Sequence, residues 1–144
     1  MLDALRAIFT RPDTSSFSME PQMAVAALLV HLAAVDGNTS PAEKQAVRRA
    51  LSENYDVEDG ELDQLIAEAT RRDAESVDFY RFTSALSSLE SEERVRIIEM
   101  MWQVVFADNQ NHELEDNMVW RIAELIGVSA RDRTVLRARM ARQA

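Results

Sequence analysis

The chain has 144 residues, a net charge of −9, no cysteine, three glycines and three prolines. That length fits one domain, able to bury about two-thirds of its unfolded surface without disulfide or metal staples. The acidic balance argues against an electrostatic grip on nucleic-acid phosphates. The missing cysteines remove disulfides and thiolate chemistry and fit a reducing cytoplasm.

In chain order, residues 2–9 predict a short amphipathic helix with Leu2, Leu5, Ile8 and Phe9 on one face. Docking on the core is its expected role, and peripheral contact with a membrane is the alternative. The opening MLDALRAIF is too short, and acidic too early, for a secretory signal. Thr10–Pro21 holds two prolines and three serines and reads as a linker. The expected division is therefore a helix and linker over 1–20 and a helical domain over 21–144.

From Met23 to Val35 only His31 is polar, so a helix over about 22–36 is apolar on every side and belongs at the centre of a bundle. It is too short to span a membrane, which takes about 20 apolar residues. Asp36-Gly37 ends it, since glycine takes the left-handed conformation at a helix exit. Ser40-Pro41 with Glu43 three residues on makes a capping box, and the next helix runs to about 54 with Val47, Ala50 and Leu51 inward. After an acidic turn at Asn54–Gly60, a helix over about 59–73 carries Leu62, Leu65, Ile66 and Ala69 at helical spacing. Ser76 caps another, striped by Phe79, Phe82 and Leu86.

Ser91 is expected to cap a second central helix reaching about 107. A helix over about 113–126 is expected to bury Leu114, Met118, Ile122 and Leu125 before Gly127 stops it. Ser129 and Asp132 then open a basic helix to about 142. From Val128 onward five arginines accompany one acid, Asp132, so this tail carries +4 and the rest −13. The tail arginines are expected to complement the acidic body and the negative helix end, with a patch for a partner or anionic lipid as the alternative. Lysine occurs once, at Lys44, and carries no inference.

The two central helices echo each other. Asp36 is followed seven residues later by Glu43, and Asp108 seven residues later by Glu115; Val47 and Val119 each lie eleven after the aspartate. Gly37 matches Asn109, the next-best residue for a left-handed turn, and Ser40 matches His112. The offset of 72 residues suggests a duplication with the halves packed about a pseudo-twofold axis.

Asp36-x-Asn38-x-Ser40 imitates the start of an EF-hand loop, but Pro41 stands at the glycine position and Val47 at the glutamate position, so an EF-hand is rejected. If the halves face each other, Asp36, Glu43, Asp108 and Glu115 converge. Four carboxylates in one place require a cation or protons, and hard oxygens favour calcium, magnesium or manganese. The alternative is that the aspartates satisfy loop amides while the glutamates merely complete caps. His112-Glu113 is not a zinc-protease motif, because residue 116 is aspartate. His31 reads as a core histidine with a hydrogen-bond partner. No Gly-x-Ser-x-Gly elbow and no glycine-rich phosphate loop occur. Met100, Met101, Trp102, Met118 and Trp120 read as core.

These spacings resemble the TerB-like family, the tellurite-resistance TerB domain and its relatives. The pieces that carry the resemblance are Ala34-Val35-Asp36-Gly37 with Glu43, Phe106-Ala107-Asp108-Asn109 with Glu115, and Glu75–Thr83 between them, within about residues 20–140. Asn109 and His112 depart from the family's usual glycine and small or acidic cap. The resemblance to small stand-alone bacterial members implies an all-α, single-domain bundle of about seven to eight helices built from two similar halves. It also implies divalent-cation binding at the acidic turns and stress-response or membrane-linked assemblies. A TerB-like domain in a membrane-anchored DnaJ-type co-chaperone implies a protein-interaction module. The expectation is a non-enzymatic cytoplasmic domain that binds a divalent cation and/or a protein partner. A metal-free scaffold is the first alternative and a metal-dependent hydrolase the second.

Overall fold

The structure is a computed structural model that describes residues 20–35, 37, 39–57, 59–75, 80–107 and 113–143. Seven α-helices fill these segments, and there is no strand among the described residues. They are α1 (Pro21–Ala34), α2 (Pro41–Tyr55), α3 (Asp59–Glu75), α4 (Tyr80–Leu86), α5 (Ser91–Val105), α6 (Glu113–Leu125) and α7 (Ala130–Gln143). The helix expected over 2–9, and Ser76 and Phe79, lie outside the described residues. None of the described helices is long and apolar enough to cross a membrane.

The apolar run of α1 dictates its place. Ala24 through Leu29 have no exposed surface, and Leu32 and Ala33 are buried with them. Pro21 occupies the first turn, where its missing N–H costs nothing. The helix packs against α2, α3, α4, α5 and α6. Its exit is built as the glycine signal requires. Gly37 has φ +80° and donates its N–H to the Ala34 carbonyl at 2.9 Å, while the Thr39 hydroxyl donates to the Ala33 carbonyl at 2.9 Å. His31 has the partner expected of it, Asp73 on α3, at 2.7 Å from Nδ1. It is half-buried rather than a core residue, because it sits one turn from the open end of α1.

The capping box forms on α2. The Glu43 N–H donates to Ser40 Oγ at 3.0 Å, and the Ser40 N–H donates to Glu43 Oε1 at 3.2 Å. On α5 the cap differs from expectation. Glu90 is the N-cap, without a side-chain bond, and Ser91 is already the first helical residue. The inward face of α6 also differs. Leu114 is 57% and Leu125 42% exposed, whereas Glu115, Val119, Ile122 and Ala123 are buried. The helix is turned one position from the most apolar stripe, and it is a glutamate that goes inside.

That rotation makes the two halves match. The buried set Glu43, Val47, Ala50 and Leu51 on α2 lies 72 residues before Glu115, Val119, Ile122 and Ala123 on α6. Val25, Ala26, Leu28, Leu29, Leu32 and Ala33 on α1 stand in the same relation to Ile97, Ile98, Met100, Met101, Val104 and Val105 on α5. The α1–α3 and α5–α7 contacts are the most extensive in the bundle.

The second half adds an aromatic assembly. Trp102 is fully buried and stacks on Phe106 with ring centroids 5.9 Å apart; Trp120 meets it edge-on at 6.0 Å. Arg137 lies over Trp102 and Phe106 at 5.5 and 5.4 Å and donates to Asp116 at 2.9 Å. Arg133 lies over Trp120 at 5.4 Å and donates to the Trp120 carbonyl. Arg139 pairs with Glu99. Three tail arginines thus hold α7 to its own body. Core methionines and tryptophans are where the sequence puts them, with Met100, Met101 and Trp102 buried and Met118 and Trp120 packed partly exposed.

At the opposite end of α2, Tyr55 lines a crevice with Pro21, Leu89, Glu93, Arg96 and Met100. Burial, reinforced by the Glu93 carboxylate, pushes its phenol up from 10.0 to about 12. The folded state therefore holds this proton more tightly than the unfolded chain. The resulting stability is complete below pH 10 and is lost as pH rises from 10 to about 12. Chemical denaturation across that window should show a loss of stability that Tyr55→Phe removes; an unchanged slope in the variant would exclude Tyr55 as its source.

Candidate metal centre

Each candidate glutamate begins a helix. Glu43 stands at the third position of α2 because the Ser40-Pro41 start fixes the register. Glu115 stands at the third residue of α6. Both have zero exposure. An inward glutamate at a helix start is unusual, since ionised carboxylates are rarely buried without compensation.

The two oxygens of Glu43 differ. Oε1 accepts the Ser40 N–H. Oε2 is buried and has no hydrogen-bond partner among the described residues. Carboxylate oxygens are the ligand type that hard cations take, and buried polar atoms ordinarily have a partner. Glu115 engages a partner of its own.

Asp36 and Asp108, the other two candidate ligands, lie outside the described residues, as does His112. Among the described residues, no group of three or more His, Asp or Glu side chains stands close enough to hold a metal ion. The described part of the site therefore consists of two buried glutamates at equivalent places in the two halves. Both α2 and α6 pack on α1 and on α5.

A groove of about 370 Å³ opens beside the first acidic turn, between α1, α2 and α3. Among the described residues its lining holds no carboxylate. Lys44 and Arg48 line it instead. Nothing in the periodicity of the sequence signals this groove.

Among the described residues, seven helices in two like halves, each with a buried acid at the start of its second helix, define a small all-α domain of duplicated helical units. The chain belongs to the TerB family: the family model described as tellurite resistance protein TerB matches residues 22–138, most of its length. No curated protein and no solved structure matches the chain.

Proposed function

We propose that this chain is a non-enzymatic, cytoplasmic TerB-family module that binds a divalent cation, calcium, magnesium or manganese, through Asp36, Glu43, Asp108 and Glu115. The cation links the two halves and presents a surface to a protein partner in a stress-response or membrane-linked assembly. The observation that supports it is the burial of Glu43, with its partnerless Oε2, at the position equivalent to buried Glu115. Burying a carboxylate without a counter-ion is costly, and a duplicated acid at one register is economically explained by a shared charge partner.

Calorimetric titration of chelator-treated protein with each of the three cations tests it. Heat is expected from at least one cation, and it should disappear in Glu43→Gln and in Asp36→Ala. The glutamine keeps the acceptor for the Ser40 amide, so the capping box survives the change. No heat from any cation, or the same heat in both variants, would overturn the cation site.

A metal-free scaffold is the second reading, favoured by Leu114 and Leu125. Both are exposed, and they stand three turns apart along α6. It predicts partner binding that persists in chelator and is lost in Leu114→Asp.

A further inference from the structure

The 72-residue repeat shows what the groove between α1, α2 and α3 lacks. In the second half, the positions equivalent to groove residues Val30, Ala34 and Arg48 are Trp102, Phe106 and Trp120. Those rings pack together, Phe106 stacked on Trp102 and Trp120 edge-on to it. Between α3 and α7 the burial pattern matches with a slip of one residue, so Leu65 and Ala69 correspond to Leu136 and Met140. Ile66, which lines the groove, then corresponds to Arg137. The first half thus has valine, alanine and arginine where the second has three rings, and an isoleucine where the second has the arginine that covers Trp102 and Phe106.

Charge is inverted at the same place. Asp116, which pairs with Arg137, corresponds to Lys44. Lys44 is exposed at the groove and has no ion-pair partner among the described residues. Arg48 lies one turn further along α2 and donates to Asp63 at 2.6 Å. The remaining polar side chains of the lining are spent inside the protein: the Thr39 hydroxyl on the Ala33 carbonyl, and the Thr70 hydroxyl on the Ile66 carbonyl. What the groove offers a ligand is an apolar wall and a cationic rim.

We propose that this groove is a binding site for a small amphiphilic carboxylate, whose apolar body takes the space that aromatic side chains fill in the second half and whose anionic head meets Lys44 and Arg48. Its volume of about 370 Å³ lies within the small-molecule range of about 300–1,000 Å³. Ammonium and guanidinium groups give such a head the charge-assisted bonds that fix orientation. The site is independent of any cation at the acidic turns.

The test uses decanoate below its micellar concentration, with decanol and decyltrimethylammonium as neutral and cationic controls, read by calorimetry and by amide NMR shifts. Decanoate should bind one per chain, shift Ala34, Thr39, Val47 and Thr70, and outcompete both controls. Lys44→Glu, at an exposed position, should weaken it more than about ten-fold. Ala34→Phe, which supplies the ring of the equivalent position 106, should abolish binding while leaving the melting temperature equal or higher. Equal binding of the controls, undiminished binding in both variants, or no saturation with decanoate would overturn the site. So would the same amide shifts on raising protein concentration alone, which would assign the groove to a second copy of the chain.

Discussion

Trp102→Ala should cost about 3–5 kcal/mol of folding stability, the usual penalty for emptying a buried tryptophan site. Three observations place it at the upper end. Trp102 has no exposed surface, it contacts both Phe106 and Trp120, and it lies under the Arg137 guanidinium. Removing the indole therefore opens a cavity, breaks two ring pairs worth about 0.5–1.5 kcal/mol each, and uncovers the arginine that anchors α7. The repeat supplies the control. Val30 occupies the equivalent position in the first half but is only half-buried against the groove, so Val30→Ala should cost about 1 kcal/mol or less. Urea denaturation of both variants checks the contrast; equal losses would mean that the aromatic assembly adds nothing to the second half.

Gly127→Ala should be the next most damaging, at about 2–4 kcal/mol from left-handed strain plus a lost charge-assisted hydrogen bond. Gly127 has φ +83°, and a Cβ there would lie 2.7 Å from Arg94 Nη1. That nitrogen is not free to swing away without consequence, because it donates to the Ile126 carbonyl at 2.8 Å. Gly37 has nearly the same φ, +80°, but no atom of the described residues within 4 Å of the added carbon. Gly37→Ala should therefore show the backbone term alone, about 1–2 kcal/mol. Thermal melts of the pair separate conformation from collision. If the two alanines are equally destabilising, the contact with Arg94 has no energetic weight.

Helix starts and stops were legible because they depend on neighbouring residues. Ser40, Pro41 and Glu43 fix the entry of α2, and Gly37 and Gly127 fix the exits of α1 and α6. The twofold repeat was legible for the same reason, as was the central place of α1. What the sequence hid was orientation. Leu114 and Leu125 are the most apolar choices for an α6 stripe, yet they point outward and Glu115 points inward. Hydrophobicity ranks residues one by one, whereas packing selects the face that presents Val119, Ile122 and Ala123 together. Register against Glu43 and Val47 is the signal that would have found it. Serine is a frequent cap, which points to Ser91, but Glu90 holds that backbone position. The groove was invisible because a void belongs to three helices at once. The acidic site was readable as spacing only: Glu43 and Glu115 meet the expectation of equivalence, while Asp36 and Asp108 lie outside the described residues.

The inward use of the tail arginines changes how this molecule meets others. A count along the chain gives the last helix a cationic character, but Arg133, Arg137 and Arg139 are each held by groups of the same protein. The long-range potential is then that of the whole chain, at a net −9. Diffusional encounter with cationic partners is steered and accelerated by such a field, and that acceleration fades as ionic strength rises.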